Sequence, residues 1–195
     1  MNSKEILKSI INNFDINKFE LFFRQKNDKL RFFYEDLNIK IGDNSNDFKE
    51  CKKIAEGKLD DGNLIIYSFL VGKALKERSG KKLQYDLGKK ILKQENSDAG
   101  IFIFYDEHGN FRFSLIYTNY LGKKRDFSSF KRFTYFVSQD QTNKTFLSQI
   151  GEGDLSTIEK IKEAFSVEKV TKEFYLQYYQ LFENLKNNLE NNHSF

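Results

Sequence analysis

Two short runs of nearly uninterrupted apolar residues place the strongest constraint on how this 195-residue chain can fold. Residues 64–71 (LIIYSFLV) follow the turn-forming sequence DDGN, and residues 100–105 (GIFIFY) form the second run. Both have the length of a strand, and a strand that is apolar on both faces belongs in the centre of a sheet that is covered on both sides. The sequence therefore predicts a sheet flanked by helices.

Two further segments are predicted to join this sheet. Residues 111–118 carry apolar side chains at every second position, and residues 132–138 (RFTYFVS) form another short apolar stretch. Turn-forming residues before residue 111 favour an antiparallel arrangement of these strands. The predicted fold class is α/β (α+β) with a mixed sheet, organised as an α/β domain over residues 1–150 and a helical extension over residues 151–195.

Helices are predicted where apolar residues recur at intervals of three or four. One covers residues 81–94, and Ser156 with Glu159 forms a capping-box pattern at the start of a helix that ends at Phe165. The remaining predicted helices cover residues 6–14, 19–23, 48–55, 142–150 and 170–189.

Composition excludes several classes of protein. With one cysteine and two histidines, residues 1–195 provide neither an intramolecular disulfide nor a Cys/His zinc site. No apolar run approaches the roughly 20 residues of a membrane span, and the start lacks the apolar segment of a signal peptide. We therefore expect a cytoplasmic protein without a membrane partner. The absence of proline excludes the Asn-Pro-Pro-Tyr loop of an adenine methyltransferase.

Positive charge is concentrated in two stretches of a chain whose net charge is only +4. Residues 71–94 contain eight basic and two acidic residues, and residues 123–132 contain five basic and one acidic, so the rest of the chain is net negative. A basic surface on an otherwise acidic protein is typical of polyanion binding, although lysine-rich helix faces also occur simply as solvated surface. The residues that we expect to contact nucleic acid are Lys81, Lys82, Lys89, Lys90, Lys123, Lys124, Arg125, Lys131 and Arg132.

Whole segments of the sequence are similar to one known family. The chain resembles the N-terminal region of single-chain type IIG and type ISP-like restriction–modification enzymes, which join an endonuclease-like segment to an adenine-N6 DNA methyltransferase. The likeness covers about residues 58–185. The segments that carry it are residues 74–92 (ALKERSGKKLQYDLGKKIL), 99–117 (AGIFIFYDEHGNFRFSLIY), 123–138 (KKRDFSSFKRFTYFVS), 142–151 (TNKTFLSQIG) and 166–185 (SVEKVTKEFYLQYYQLFENL).

The resemblance implies a restriction-endonuclease-like core, in which helices flank a mixed sheet, followed by the start of a connector to a methyltransferase. It implies double-stranded DNA as the partner, together with methyltransferase and target-recognition regions outside residues 1–195, in a phage-defence system. It also implies Mg²⁺-dependent phosphodiester hydrolysis, in which acidic side chains hold the ion, the ion lowers the pKa of the attacking water, and a lysine stabilises the developing negative charge.

The family's usual catalytic residues, an Asp at one strand start and a Glu-x-Lys on the next strand, are not found in residues 64–71. For an active nuclease we therefore expect Asp60 and Asp61 as metal ligands, with Asp61, Glu77 and Lys89 as the catalytic set. DDGN is also an ordinary turn sequence, and Glu77 also fits a role in balancing nearby lysines. The alternative is a catalytically degenerate DNA-binding or interaction module that keeps the fold and needs no cofactor.

Overall fold

The computed structural model describes residues 1–33, 47–121, 124–129, 132–166, 176 and 178–186. The chain divides into two compact units, Met1–Phe165 and Ser166–Phe195, each of which is described by itself. The sequence placed the end of the first domain at residue 150, whereas the contacts of the structure place it after Phe165.

The described part of the first unit contains five helices and seven strands. In chain order they are α1 (Ser3–Asn12), α2 (Lys18–Lys26), β1 (Leu30–Phe32), β2 (Phe48–Leu59), β3 (Gly62–Val71), α3 (Lys81–Gln94), β4 (Ala99–Tyr105), β5 (Phe111–Leu121), β6 (Lys124–Phe127), β7 (Thr134–Val137), α4 (Lys144–Glu152) and α5 (Ile158–Phe165).

The strands form one mixed sheet in the order β1-β2-β3-β4-β5-β6, with β7 also paired to β5. β3 and β4 are parallel and α3 connects them, while the other pairs are antiparallel. The four segments that the sequence placed in one sheet are β3, β4, β5 and β7, so this prediction is confirmed. The fold is therefore α/β, with helices flanking a mixed sheet.

The two faces of the sheet have separate hydrophobic cores. On β3, Ile66 is buried among α1, α2, α4 and α5, whereas Ile65 and Tyr67 point to the opposite face and are buried with Leu87 and Ile91 of α3. Successive side chains of a strand point to opposite faces, so a strand that is apolar at every position needs a cover on both sides. The apolar runs of β3 and β4 thus account for the three layers.

Phe113 is the centre of the larger core. Its ring lies 5.9 Å from Phe19, 6.1 Å from Phe23, 5.5 Å from Phe146 and 5.3 Å from Phe165, measured between centroids. These neighbours belong to α2, α4 and α5, so one strand residue holds three helices against the sheet.

The helix predicted over residues 48–55 is wrong, because these residues belong to β2. β2 pairs with β3 over its whole length, from Phe48 opposite Val71 to Leu59 opposite Gly62. The local sequence FKECKKIA has no strong strand preference, and its pairing with a buried neighbour decides its conformation. The helices predicted over residues 81–94 and 142–150 are confirmed as α3 and α4. The segment 41–47, rich in Asn, Asp and Gly, predicts a loop, and of these residues only Asp47 is described, in a turn.

In the second unit, residues 178–186 are helical, as the sequence predicts for residues 170–189. The apolar stripe of this helix predicts that Phe174, Tyr178 and Leu181 pack on the core or on a neighbouring chain, and in this one chain Tyr178 and Leu181 are 59% and 61% exposed. Phe174, the third residue of that predicted packing face, lies outside the described residues.

The close contact of α3 with the sheet yields a prediction for Gly88. A Cβ at this position would lie 2.6 Å from Ile116 Cδ1 and 3.1 Å from the Phe102 ring. Gly88→Ala should therefore lower the free energy of unfolding by ~1–3 kcal/mol through overpacking, although Ala favours a helix by ~1 kcal/mol elsewhere. Asp86→Ala, at an exposed site of the same helix, is the matched control for urea denaturation. Equal or greater stability of Gly88→Ala than of the wild type would contradict this packing.

Candidate nucleic-acid interface

The cations of residues 71–94 lie on α3 and on the segment that leads into it. Leu87, Ile91 and Leu92 hold one face of α3 against the sheet, so the lysines between them project toward solvent. Six of these cations are exposed and two, Lys81 and Lys89, are half-buried. The basic surface, as we name it, consists of Lys73, Lys76, Arg78, Lys81, Lys82, Lys89, Lys90 and Lys93.

The basic surface is almost free of compensating charge. Within the described part of the chain, Lys89 is its only member in an ion pair, with Nζ 3.6 Å from an Asp86 oxygen. Most described cations of the first unit elsewhere are paired, as in Lys4–Glu152, Lys29–Asp60, Arg31–Glu56, Lys49–Glu107 and Lys160–Asp154. The lysines Lys8, Lys58 and Lys144 are exposed and have no ion pair with a described residue, but they lie on three different elements. Uncompensated positive charge is thus concentrated beside α3.

The N-terminus of α3 adds to this positive potential. Its N-cap is Gly80, whose φ of 74° is in the left-handed region that favours glycine. No described side chain caps the helix and its first turn contains no acidic residue, so the partial positive charge of the helix end is not offset within that turn.

Contrary to our expectation, the second basic stretch, residues 123–132, does not present all of its described cations freely to solvent. Arg125 donates a hydrogen bond to the Ser97 carbonyl, and its guanidinium lies 5.6 Å from the centre of the Phe127 ring, so it ties β6 to the protein rather than projecting freely. Lys93 of the basic surface lies 5.5 Å from the same ring, which shows that the two stretches meet there. Arg132 is exposed, the Lys124 side chain is outside the described set, and Lys123 and Lys131 lie outside the described residues altogether.

Asp61 has a structural role that the sequence did not reveal. Its two carboxylate oxygens accept hydrogen bonds from the backbone N–H groups of Ile158 and Glu159, at 2.8 Å and 2.9 Å. Asp61 therefore caps the N-terminus of α5 from the turn between β2 and β3. The capping box predicted from Ser156 and Glu159 is wrong, because the Glu159 N–H is donated to Asp61.

The structure does not bring the predicted catalytic set together. Asp61 precedes β3 and Glu77 follows its other end, and because β3 has ten residues, these ends are roughly 30 Å apart at about 3.3 Å per residue. Asp60 lies in the same turn as Asp61 and pairs with Lys29 at 2.5 Å. Lys89 lies within α3 beside Asp86.

Sequence reasoning missed a cluster around Lys53, in the middle of β2 and beside the C-terminal end of α3. Lys53 Nζ lies 2.7 Å from a carboxylate oxygen of Glu56 and 2.7 Å from one of Glu95, and Tyr67 donates to Glu95 at 3.0 Å. A bulge between Lys53 and Ala55 shifts the strand register, which allows residues three apart to meet on one face. No pattern in the sequence links this bulge to Glu95, which follows α3.

The environment of this cluster shifts the pKa values of Lys53, Glu56 and Tyr67. Burial lowers the pKa of Lys53, but its hydrogen bonds to Glu56 and Glu95 outweigh that effect and raise the pKa above its usual value. The hydrogen bond from Lys53 lowers the pKa of Glu56, and burial together with Glu95 raises that of Tyr67. At neutral pH Lys53 is therefore a cation and Glu56 an anion, while the Tyr67 hydroxyl keeps its proton.

Metal-ligating clusters and membrane-spanning helices are both absent from the described ranges. No group of three or more His, Cys, Asp or Glu side chains that could hold a metal ion occurs among these residues. None of the described helices is long and apolar enough to cross a membrane. No protein family, curated protein or solved structure matches the chain.

The capping role of Asp61 predicts how its variants behave. Asp61→Ala should lower the free energy of unfolding by about 1–2 kcal/mol, because two N–H groups of α5 lose their acceptor, whereas Asp61→Asn keeps one acceptor oxygen and should lose less. Asp60→Ala is the control and should change stability by at most ~1 kcal/mol, since it removes only an exposed ion pair. Equal values for Asp61→Ala and Asp60→Ala in urea denaturation would contradict the capping role.

Proposed function

We propose that this protein binds double-stranded DNA through its phosphate backbone, and that its sheet is the restriction-endonuclease-like core of a restriction–modification enzyme. The observation that carries the proposal is the basic surface, in which seven of eight cations have no ion pair with a described residue. The family resemblance and the mixed sheet flanked by helices support the same function.

The chemistry of the basic surface favours phosphate contacts over base recognition. Seven of its eight cations are lysines, which are flexible point charges, whereas base edges are read mainly by Arg, Asn and Gln in bidentate geometry. The N-terminus of α3 offers a further favourable position for a phosphate. Binding is therefore tolerant of sequence, because phosphates carry the affinity and report no base identity.

Such binding has a characteristic dependence on salt. Each neutralised phosphate releases counterions and contributes about −0.9 to the slope of log K against log salt. A surface that engages several phosphates weakens steeply between low and physiological salt, whereas a solvated surface without this function shows no such binding.

The basic surface can be tested against a control with the same change in charge. Replacing Lys82, Lys90 and Lys93 by Gln should weaken binding to a duplex and make the slope less negative by up to about 2.7, from three lost phosphate contacts. The control replaces Lys8, Lys58 and Lys144 by Gln, which removes the same net charge from three separate sites.

Fluorescence anisotropy over a range of salt concentrations measures both quantities on the full chain. Both triple variants should keep the wild-type melting temperature, since all six side chains are exposed. Equal effects of the two triple variants, or no duplex binding by the wild type, would overturn the proposal.

The Lys53 cluster favours a second candidate function, metal-dependent cleavage of DNA. Two carboxylates and a lysine are the groups that the resemblance associates with such chemistry, and Lys53 holds Glu56 and Glu95 next to each other. Mg²⁺ is bound in proteins by one or two carboxylates with several waters, so Glu56 and Glu95 suit it. A bound Mg²⁺ would supply activation of a water and stabilisation of phosphate charge. With the ion bound, the Lys53 ammonium, which now lies 2.7 Å from an oxygen of each carboxylate, would turn to a phosphate oxygen instead.

Cleavage of supercoiled plasmid with Mg²⁺ or Mn²⁺, with and without EDTA, tests this candidate. If Glu56 and Glu95 hold the ion, Glu56→Gln and Glu95→Gln should abolish cleavage, while Glu107→Gln, an exposed carboxylate paired with Lys49, should not. Asp61→Asn keeps one of the two oxygens that cap α5 and tests the catalytic set predicted from the sequence, because loss of cleavage by a folded variant would support Asp61 as a ligand. Intact plasmid with both metals would exclude cleavage and leave the binding proposal unaffected.

A further inference from the structure

Arg112 of β5 is a buried charge that forms no ion pair with a described carboxylate, and the charge of Glu77 acts on it only from beyond ion-pair distance. Its side chain is 1% exposed, and no carboxylate among the described residues forms an ion pair with it. One terminal nitrogen donates to Gln84 Oε1, and the other donates to the backbone carbonyls of Lys76 at 2.7 Å and Glu77 at 3.2 Å. Its Nε has no acceptor among the described residues. Burial lowers the pKa of Arg112 to about 10, so it remains charged at neutral pH.

An uncompensated buried charge is costly, and the hydrogen bonds to carbonyl groups offset only part of that cost. Carbonyl oxygens carry partial charges, whereas an anion supplies a full negative charge and an acceptor for Nε. The surroundings of Arg112 therefore favour an anion.

Arg112 lines a small cavity between α3 and the paired strands β5 and β7. Its volume is about 20 Å³, and its polar lining consists of Lys81, Gln84, Tyr85, Ser114, Ser129 and Thr134, with no carboxylate. A space of ~10–15 Å³ holds one water-sized atom, so the cavity accepts a single oxygen but not a whole phosphate group. Lys81 is half-buried and Ser129 is exposed, whereas Arg112 is buried, so the cavity opens toward the basic surface.

The polar groups of the cavity suit an anionic oxygen. Arg112 and Lys81 provide positive charge, and Ser114 and Thr134 provide hydroxyl groups that hydrogen-bond each other at 2.7 Å. A hydroxyl pair uses one of its two protons internally and keeps the other for an outside acceptor. Because both charges of the lining are positive, a cation is disfavoured.

We propose that this cavity receives one non-bridging oxygen of a DNA backbone phosphate, with Arg112 and Thr134 or Ser114 contacting the oxygen from within and Lys81 and Ser129 at the mouth. This inference rests on the proposed function, and it distinguishes one fixed phosphate position from the diffuse contacts of the other lysines. Arg112 also holds the carbonyls of Lys76 and Glu77, so it braces the segment that carries Lys73, Lys76 and Arg78 of the basic surface.

A direct test follows the Arg112 Nε–H signal by nitrogen-15 NMR of the full chain. Inorganic phosphate should shift this signal more than chloride does at equal ionic strength. A DNA duplex, which presents its backbone phosphates, should shift it in the same direction. An Nε–H signal that responds equally to both salts would overturn the anion site. This readout does not require DNA binding, so it separates failure of the cavity from failure of the proposed function.

Matched variants then test whether DNA uses the cavity. Thr134→Val removes a hydroxyl without changing shape or charge, and duplex affinity should fall about tenfold with an unchanged salt slope, as expected for a lost hydrogen bond to a charged group. Lys81→Gln should cost more affinity than Lys90→Gln, although each removes one charge from the same helix. Ser129→Ala, at the exposed mouth, should also weaken binding and gives a readout if Thr134→Val does not fold. DNA does not use the cavity if Thr134→Val and Ser129→Ala both bind the duplex as tightly as the wild type and Lys81→Gln loses no more affinity than Lys90→Gln.

Discussion

The parallel pairing of β3 with β4 determines where the other parts of this protein lie. Parallel neighbours need a long crossover, and α3 provides it by passing over one face of the sheet. Because β3 and β4 are apolar on both faces, the opposite face must also be covered, and α1, α2, α4 and α5 cover it. One pairing thus produces the three layers and gives α3 a buried face and a solvent face.

The positive charge follows from this arrangement. α3 uses its leucine and isoleucine side chains for the sheet, so its lysines are left on the outside, next to the cations of the segment before it. The acidic residues lie mainly on other elements, where they pair with nearby lysines and arginines. Among the described residues, uncompensated positive charge is therefore concentrated beside α3, and this asymmetry is the basis of the proposed binding to the DNA backbone.

Polar residues near the sheet divide into those that support the fold and those that are available for chemistry. Asp61 and Arg125 belong to the first group, because their functional groups are hydrogen-bonded within the protein. Lys53 with its two carboxylates takes part in both, because its ion pairs join β2 to the end of α3 while the same three charged groups are those of the second candidate function. Arg112 takes part in both, bracing the segment before α3 while its Nε faces no acceptor among the described residues.

The sequence by itself determined the elements whose patterns are local. Local patterns indicate how many faces of an element must be buried. These patterns are the apolar runs of β3 and β4, the alternation of β5 and the spacing within α3, and the structure confirms all four elements. Only the tertiary structure decided the conformation of β2, the acceptor that caps α5 and the meeting of Lys53 with Glu95. Those features depend on partners that are distant in the chain, such as Asp61 for Ile158, and a side chain's contacts across the fold leave no periodicity in the sequence around it.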